Sequence, residues 1–548
     1  MRVGVLDILT DTPLRGPVSR TYAAYFRKQF TGIMPQAVSA WCRQLGHEVF
    51  YATYYGAEDP RSALPADLDI VFLSTYTQAS ALAYALAKLY RRDGVLTVLG
   101  GPHAKAFPED SLRFFDIVVR DCDKALVDDI LRGSFDPPQI VTSGRRLTGF
   151  PTIEERLPDI RKSAFVNGRP IFMSVIPMLS SLGCPYRCDF CIDWDNDYIA
   201  LPEDQLEADL RFIADTFDNP LVAFHDPNFA VRFDSTMDVI ERIPPGRRPR
   251  YVMESSLSIL KEGRLARLRD TNCVYVAPGV ESWGDYSNKS GAQGRFGRAK
   301  LDQVVEHFRR LGEFVPGMQA NFLFGADVDH GPDPAALTKE FIRRLPRVWP
   351  TINIPTPFGA TPLHAAYERE GRILKSLPFA FYHNPYLAIR LKHYDPITYY
   401  DHLIDIHRSF ASARMMARRL AQPSRSGVRF IHALRTIAAR DEVAALKRIR
   451  RTMATDRAFR AFHEGETERL PDFYRAQVAK RLGRYAELLS PVDILPDWGG
   501  RAAADIPPPG RPGRAPHDPA GAIDILPALR TARAISADQI EAMKPPSI

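Results

Sequence analysis

The residues of this chain whose types and spacing most directly indicate chemistry are three cysteines in one short stretch. Cys184, Cys188 and Cys191 are spaced C-x3-C-x2-C within Leu-Gly-Cys-Pro-Tyr-Arg-Cys-Asp-Phe-Cys (182–191). Thiolates at this spacing can hold an iron–sulfur cube, but they supply only three ligands for four irons. The spacing therefore predicts a cluster that keeps one iron open to bind and reduce a small molecule.

Zinc is the competing metal for such a cysteine group. Zinc sites usually join a C-x2-4-C pair to a second pair of Cys or His, and no second pair lies near residues 184–191. The spacing thus favours an iron–sulfur cluster. Three cysteines that only pack in the protein interior are the remaining alternative.

The stretch 182–191, with Phe190 directly before the last cysteine, resembles the radical S-adenosylmethionine (SAM) superfamily. The resemblance implies that the fourth iron chelates the amino and carboxylate groups of SAM and that the cluster donates the electron that cleaves it. It also implies that Phe190 shields the cluster and packs near the adenine. An ordinary core aromatic would look the same in the sequence, so both roles of Phe190 stay open.

The whole chain sets broad limits on class and compartment. Its 548 residues are too many for a single core and predict two to four domains. The three cysteines outside the motif are scattered, which indicates metal binding in a reducing compartment and not a disulfide framework. The N-terminal apolar run is broken by Asp7, and no run of about 20 apolar residues occurs. We therefore expect no signal peptide, no membrane span and a cytoplasmic protein.

The first 145 residues alternate strand and helix patterns, which predicts a doubly wound, Rossmann-like parallel sheet in an α/β protein. Ligands of such sheets bind beyond the carboxyl ends of the strands, at a topological switch point. Ser74-Thr75 and Gly100-Gly101 stand at two of these ends, where small residues let a bulky ligand approach the backbone. The predicted strands are 3–9, 49–53, 69–76, 95–101 and 116–120.

A second βα series follows and predicts a partial (β/α)6 TIM-type barrel over residues 171–385. Its chemistry would lie at the carboxyl ends of the strands. The predicted strands are 172–179, 221–224, 251–254, 274–280, 317–324 and 351–355. We predict a linker over 146–170, an α-helical C-terminal domain over 386–495 and a Pro-rich disordered tail over 496–548.

Polar and glycine-rich segments at the strand ends fall in the order of the radical SAM branch that carries an N-terminal cobalamin-binding domain, and this resemblance spans about 370 residues. It implies that Asp226, Glu281 and Ser282 contact SAM. It also implies a set of residues beside the corrin ring of cobalamin: Ser74, Thr75, Gly100 and Gly101. For Asp226, a helix cap or a turn is the structural alternative.

Two departures bear on cobalamin. No Asp-x-His-x-x-Gly follows the first strand, so no lower axial histidine is apparent, and many radical SAM relatives also lack it. Residues 120–124, Arg-Asp-Cys-Asp-Lys, stand where relatives often have a turn rich in glycine and glutamate. His103 is a candidate cobalt ligand, although the sequence favours a capping or surface histidine there.

Two charged segments have competing interpretations. The acids in 193–197, Asp-Trp-Asp-Asn-Asp, resemble a calcium loop, but position six is Tyr198 where such a loop needs glycine. They could instead meet a cationic substrate, with Trp194 offering a cation–π face, or form a solvated loop. The net charge of +7 comes largely from arginines between 408 and 451, which suit a solvated surface or a phosphate-rich partner. They include Arg418, Arg419, Arg448, Arg450 and Arg451.

The resemblance implies a radical SAM enzyme that uses a [4Fe-4S] cluster, SAM and cobalamin to modify an unactivated carbon of a small molecule, most often by C-methylation. An electron donor such as flavodoxin or ferredoxin is the expected protein partner. No catalytic side chain is identified beyond the cofactor ligands. Two alternatives stay open: a cobalamin-independent radical SAM enzyme with a degenerate first domain, and a nucleic-acid-modifying enzyme, although the RNA-binding barrel usual in such relatives is missing.

Overall fold

The N-terminal part of the chain, in a computed structural model of the protein, is an open sheet of six parallel strands with the order β2-β1-β3-β4-β5-β6. Buried apolar runs form these strands, as the sequence predicts. They are β1 (Arg2–Ile8), β2 (Glu48–Tyr54), β3 (Ile70–Thr75), β4 (Leu96–Gly100), β5 (Ile117–Val119) and β6 (Gln139–Val141). The strand order reverses between β1 and β3, which places the switch point at their carboxyl ends.

Helices cover both faces of this sheet, because alternate residues of each strand enter two separate apolar clusters. Val5 and Phe72 pack in the cluster that contains Trp41, whereas Leu6 and Leu73 pack in the cluster that contains Leu86. The helices are α1 (Ile33–Gln44), α2 (Ser80–Arg92), α3 (Pro102–Ala106), α4 (Pro108–Leu112) and α5 (Lys124–Leu131). The predicted Rossmann-like sheet is confirmed, with β6 as an additional edge strand.

The predicted linker contains a helix, α6 (Ile153–Ser163), which starts with a capping box between Thr152 and Glu155. Its Arg156 is buried and donates to Gln36 Oε1 of α1 at 2.8 Å and to the Pro177 carbonyl at 3.2 Å. Because one acceptor lies on a helix of the first domain and the other on the first strand of the second sheet, α6 joins the two domains.

The second sheet has six parallel strands in the order β14-β13-β12-β11-β10-β7, as a partial barrel requires. Its strands are β7 (Ile176–Met178), β10 (Leu221–Phe224), β11 (Arg250–Ser256), β12 (Cys273–Glu281), β13 (Gly317–Leu323) and β14 (Val348–Asn353). The helices between them are α7 (Glu203–Thr216), α8 (Phe233–Glu241), α9 (Glu262–Asp270), α10 (Gly297–Phe314) and α11 (Asp333–Arg344), and α12 (Pro362–Arg369) follows β14. The predicted barrel is thereby confirmed, although β14 begins three residues before the predicted strand.

The two faces of the barrel strands differ in burial. Val276, Met318 and Val348 pair in register and are buried under the outer helices. The opposite face carries polar residues that are half-buried or exposed, among them Glu254 and Asn321. The interior of the barrel is therefore lined by accessible polar side chains and is not filled by an apolar core.

The C-terminal region is helical, as predicted. Its helices are α13 (Pro396–Ala411), α14 (Ala413–Leu420), α15 (Ser426–Thr455), α16 (Arg457–Glu464) and α17 (Asp472–Leu482). The basic surface expected here is not uniform, because Arg419 is buried and Arg450 pairs with Asp401 at 2.9 Å.

The segment after α17 contacts the first sheet and the barrel. Lys88 of α2 forms an ion pair with Asp493 at 2.5 Å, and the Trp498 indole donates to the Lys375 carbonyl at 2.8 Å.

The structure describes residues 1–13, 27–57, 59–145, 147, 149–171, 174–292, 294–422 and 426–498, all within one compact unit. The first residues of the predicted strand 172–179 and nearly all of the predicted disordered tail lie outside this part. Within these ranges, no helix is both long and apolar enough to cross a membrane.

Candidate functional site

The three motif cysteines lie on a loop whose base is closed by a small antiparallel hairpin. Strand β8 (Ser181–Leu182) pairs with β9 (Ile199–Ala200) on either side of residues 183–198. Gly183 has φ +66°, and a Cβ on it would collide with the Asp197 carbonyl, so only glycine allows this close crossing. The hairpin therefore holds the cysteine loop at the carboxyl end of β7.

Within the loop, the cysteines occupy successive turns. The Cys191 amide donates to the Cys188 carbonyl at 3.1 Å, and the Trp194 amide donates to the Cys191 carbonyl at 3.1 Å. Cys184 is buried, and Cys188 and Cys191 are half-buried. Burial, together with Glu281 and the other two thiols, raises the pKa of Cys188 to about 11, against the opposing effect of Lys289.

The three motif thiols lie near one another. Cys184 and Cys191 both influence the pKa of Cys188, so the three cysteines lie within electrostatic reach of one another. In the described ranges, no three His, Cys, Asp or Glu side chains form a closed site for one metal ion. Three thiolates grouped in this way are the ligands that an iron–sulfur cube needs.

Asp226, which is predicted to contact SAM, supports the cysteine loop through its side chain. Its side chain is buried, and Oδ1 accepts from Ser180 Oγ at 2.6 Å and from Ser181 Oγ at 2.7 Å. Oδ2 accepts from the Ser180 amide at 3.0 Å. Asp226 therefore fixes the chain where β7 passes into the loop, a role that neither of its sequence-based interpretations anticipated.

Glu281 lies at the end of β12 in a strained conformation. Its φ is +64°, and the pairing register with β13 shifts between Gly279 and Glu281. A left-handed backbone at a residue with a side chain costs about 1–2 kcal/mol and persists only where the surroundings impose it. The bend turns the Glu281 carboxylate back over Gly279, where a Cβ would collide with Oε1.

Lys289 is the residue that the sequence reasoning missed. Burial lowers the pKa of Lys289, but Glu281 and the three motif cysteines outweigh that effect and raise it above its ordinary value. Burial raises the pKa of Glu254 on β11, and the Lys289 ammonium group partly opposes that rise. A lone lysine in a loop after the fourth barrel strand carries no motif, so only the fold shows that it meets the cysteines.

Ser282 and Phe190 each make contacts that fix neighbouring elements. Ser282 Oγ donates to Asp329 Oδ1 at 2.5 Å, and Asp329 Oδ2 accepts from the Gly325 amide at 2.9 Å. Phe190 stacks on Tyr286 with 5.6 Å between ring centroids. It also packs beside the apolar cluster around Leu363.

The four residues predicted beside a corrin lie together at the carboxyl edge of the first sheet. Ser74 pairs in register with Gly100, and Thr75 follows it at the end of β3. Gly101 has φ +88°, and a Cβ there would be 2.9 Å from Ser74 Oγ. Around Gly100, by contrast, no described atom lies within 4 Å of the position of a Cβ. The edge is therefore tight beneath Gly101 and open beside Gly100.

Asp7, the last residue but one of β1, pairs in register with Ser74 and places a carboxyl group at this edge. Its Oδ2 accepts from the Gly32 amide at 2.9 Å, and the side chain is buried. Burial raises the pKa of Asp7 to about 6, although the hydrogen bonds from Gly32 and Ser74 oppose the rise.

His103 is neither a surface nor a capping residue. Its ring is fully buried, Nε2 lies 2.6 Å from Tyr84 Oη, and Tyr84 in turn donates to Asp110 Oδ2 at 2.6 Å. Burial lowers the pKa of His103 to about 3. The favoured sequence interpretation was therefore wrong about its place. A ring engaged with Tyr84 and packed on Phe107 also gives no support to cobalt ligation.

The two strand edges face each other. Tyr76, just after β3, is 39% exposed, yet burial, Asp7 and the barrel residue Glu254 raise its pKa to about 12. Tyr76 therefore lies where the edges of the two sheets approach each other. On the barrel side of this approach, Glu254 is exposed and is influenced by Lys289, which is itself influenced by the motif cysteines.

The acidic segment 193–197 forms part of the contact between the two sheets. Lys105 Nζ of α3 donates to Asp195 Oδ1 at 3.1 Å and to Asn196 Oδ1 at 2.6 Å. The Trp194 indole donates to the Ala360 carbonyl at 2.6 Å. The segment thus connects the cysteine loop to the first sheet, so its acids are neither a calcium loop nor simply a solvated one.

Comparison with known proteins identifies remote relatives, although no family model matches the chain. A bacteriochlorophyllide d C-8(2)-methyltransferase of Chlorobaculum tepidum is 24% identical over 357 residues, which cover 61% of this chain and 75% of the relative. A bacteriochlorophyllide d C-12(1)-methyltransferase of the same organism is 23% identical over 304 residues, 54% of this chain and 64% of the relative.

A solved structure gives the matching fold. The cobalamin-dependent S-adenosylmethionine radical enzyme OxsB, with aqua-cobalamin and S-adenosylmethionine bound, superimposes with a TM-score of 0.53 at 12% identity. The match covers 89% of this chain and 79% of that chain, so it includes both sheets and the helical region. The fold that the cysteine motif and the strand ends imply is thereby confirmed.

Proposed function

We propose that this chain, which shares the two-sheet fold of a cobalamin-dependent radical SAM enzyme, is itself such an enzyme and methylates an unactivated carbon of a small molecule. Residues 1–145 would form the cobalamin domain and residues 171–385 the SAM domain, with 386–495 covering the barrel. The bacteriochlorophyllide methyltransferases among its relatives support C-methylation as the reaction.

One observation carries the proposal: the carboxyl edges of the two sheets are turned toward one another. The open position beside Gly100 lies at the edge of the first sheet and the cysteine loop lies at the edge of the barrel, and Lys105 and Asp195 pair across the two edges. Methyl transfer from one cofactor to a carbon activated by another requires both to reach the same substrate. Two ligand-binding edges turned toward one another meet that requirement.

The residues divide this work among them. Cys184, Cys188 and Cys191 would hold a [4Fe-4S] cluster, and Ser74, Thr75, Gly100 and Gly101 would lie against the corrin. When bound, the cluster and SAM would supply a 5'-deoxyadenosyl radical, and cobalamin would supply the methyl group.

Around the cluster, the chain supplies charge and support. Glu281 and Lys289 would present opposite charges to the charged end of SAM, because both lie beside the motif cysteines. Asp226 and Ser282 would act through the backbone segments that they hold. Packing of Phe190 on Tyr286 would help to exclude water from the cluster.

We further propose an electron donor of the flavodoxin or ferredoxin type and a reducing cytoplasmic setting. An open iron must receive an electron before SAM can be cleaved. All six cysteines are free thiols, which fits a compartment that keeps thiols reduced.

The test is anaerobic reconstitution with iron, sulfide and cobalamin, followed by analysis of SAM-derived products. Joint formation of S-adenosylhomocysteine and 5'-deoxyadenosine is expected for methyl transfer. Formation of 5'-deoxyadenosine without bound corrin, measured by its visible absorbance, would instead assign cobalamin-independent radical chemistry. Absence of both products from protein that carries the full complement of iron would refute the radical SAM assignment.

A further inference from the structure

The amino ends of the barrel strands, opposite the cysteine loop, form what we call the floor of the barrel. Tyr275, Gln319 and Trp349 stand near the amino ends of β12, β13 and β14. Gln319 pairs in register with Trp349. Tyr275 pairs with Gly317, which lies two residues before Gln319 and therefore on the same face of β13. These three residues therefore share the inner face of the barrel.

Arginines of the C-terminal helices close this floor. Arg435 of α15 donates from Nη1 to Tyr275 Oη at 2.9 Å and from Nη2 to Gln319 Oε1 at 2.7 Å. The guanidinium carbons of Arg435 and of Arg419 of α14 each lie 4.6 Å from the centroid of the Trp349 ring. Two like charges thus share one indole, which attracts each of them but does not neutralise either.

Several N–H donors at this floor have no hydrogen-bond partner among the residues that the structure describes. Arg419 is 3% exposed, and its Nη1 donates to the Phe410 carbonyl at 2.8 Å and to Thr436 Oγ1 at 2.6 Å. Its Nε and Nη2 are unpartnered, as are Nε of Arg347 and the buried Nε2 of His432. Buried polar groups are nearly always satisfied, so this set needs an explanation.

The charges around the floor are also unbalanced. Burial, together with the charges of Arg435, Arg419 and Arg347, lowers the pKa of His432 to about 3. Arg419 is influenced by Arg435 and Tyr275. The acid within reach of Arg435 is Glu442, whose side chain is 64% exposed and lies 3.7 Å from His407. A buried guanidinium without a carboxylate is costly unless an anion joins it.

We propose that Arg347, Arg419, Arg435 and His432 form an oxyanion-binding site at the floor of the barrel, for a phosphate or a carboxylate. Guanidinium groups match such oxygens with paired donors. The oxyanion is either a free ion or a group carried by a larger molecule in the barrel interior, and both have the same chemistry at these donors. The inference does not rest on the proposed function.

The test is isothermal titration of the full-length holoenzyme with inorganic phosphate at constant ionic strength, with chloride as the reference anion. Saturable phosphate binding is expected. Arg419→Met should weaken it roughly ten- to hundredfold, the size of a lost hydrogen-bonded charge. Arg418→Met, which removes the same charge one residue away on α14, should leave binding unchanged.

Further variants and probes keep the result decisive. If Arg419→Met does not fold, Arg435→Gln, at a half-buried position, should weaken phosphate binding in the same way. Wild-type protein that binds phosphate no better than chloride overturns the proposal, and so does equal weakening in Arg435→Gln and Arg418→Met.

Phenyl phosphate distinguishes the two sources of the anion. Binding as tight as that of phosphate assigns the site to a group on a larger molecule, whereas exclusion of phenyl phosphate with retained phosphate binding assigns it to a free ion. The assay does not require SAM cleavage, so its failure is separate from failure of the proposed function.

Discussion

The carboxyl edges of the two sheets are turned toward one another but are built differently. At the barrel edge, charged and polar side chains are committed to partners: Asp226 to Ser180 and Ser181, and Ser282 to Asp329. At the edge of the first sheet, small residues leave the backbone accessible beside Gly100, and the acid Asp7 lies next to Ser74 near the end of β1.

This difference matches two ways of holding a cofactor. A compact cluster with a charged ligand needs thiolates and charges that are fixed in place, and the hydrogen bonds at the barrel edge fix them. A broad, flat ring needs room, so the first sheet supplies glycine and hydroxyl residues. Substitutions at the two edges should therefore act differently. At the barrel edge they should weaken cofactor binding by removing a charge or a hydrogen-bonded support, and at the first sheet by filling space.

The largest effect should come from the cysteines. Cys188→Ala removes one cluster ligand and should lower 5'-deoxyadenosine formation by roughly a thousandfold or more, since loss of supporting groups alone costs about 10–100-fold. Iron content and anaerobic product analysis measure the effect. Cys122→Ala, a half-buried cysteine of the first domain, is the matched control and should keep its iron. Undiminished 5'-deoxyadenosine from Cys188→Ala would falsify the cluster assignment.

The next effect tests space at the other edge. Gly100→Val places a branched side chain, suited to a strand, where no described atom lies within 4 Å of the Cβ position. The melting temperature should stay the same, whereas cobalamin affinity should fall about a hundredfold because the added methyls fill the space for the corrin. Corrin absorbance after gel filtration reports the binding. Full cobalamin loading of this variant would show that the corrin does not lie against Gly100.

Asp7 provides a pH test of the same edge. Its pKa is raised from 3.8 to about 6 in the folded protein. The native state therefore binds the proton more tightly than the unfolded chain, and stability is lost as pH rises through 6. Asp7→Asn should raise the free energy of unfolding by up to about 3 kcal/mol at pH 7.5 and by little near pH 4. Denaturant unfolding at both pH values measures this, and a gain that does not change with pH would contradict it.

The smallest effect concerns support of the cysteine loop. Asp226→Asn replaces an acceptor by an amide beside buried hydroxyl and amide donors, so it should cost about 2 kcal/mol of stability and lower the iron content. Asp209→Asn is the control. Asp209 lies on the outer helix α7, where its buried carboxylate accepts from the Ile153 amide at 2.8 Å, so its replacement should leave iron binding intact. Equal iron loss in both variants would mean that Asp226 has no specific effect on the loop.

Sequence reasoning succeeded where a pattern is local. The strands of both sheets follow from short apolar runs, and 221–224 matches β10 residue for residue. The cysteine motif and the strand tips at Ser74 and Gly100 were found because spacing and small residues are visible in the chain.

The misses have a common physical cause, which is contact between residues distant in sequence. Lys289 meets the cysteines only because β12 and the cysteine loop end at the same edge of the barrel. His103 looks like a surface residue until Phe379 and Phe107 enclose it. The role of Asp226 depends on two serines 45 and 46 positions earlier.

The approach of Gly359 to the first sheet has a consequence for how this architecture is inherited. A Cβ at position 359 would collide with the Ala106 carbonyl of α3, so the loop after β14 touches the first domain backbone to backbone. Two modules joined this closely cannot be exchanged freely between homologues. A chimaera that takes either half from another protein needs glycine at position 359. In a library of recombined halves, we expect the variants that fold to carry glycine there.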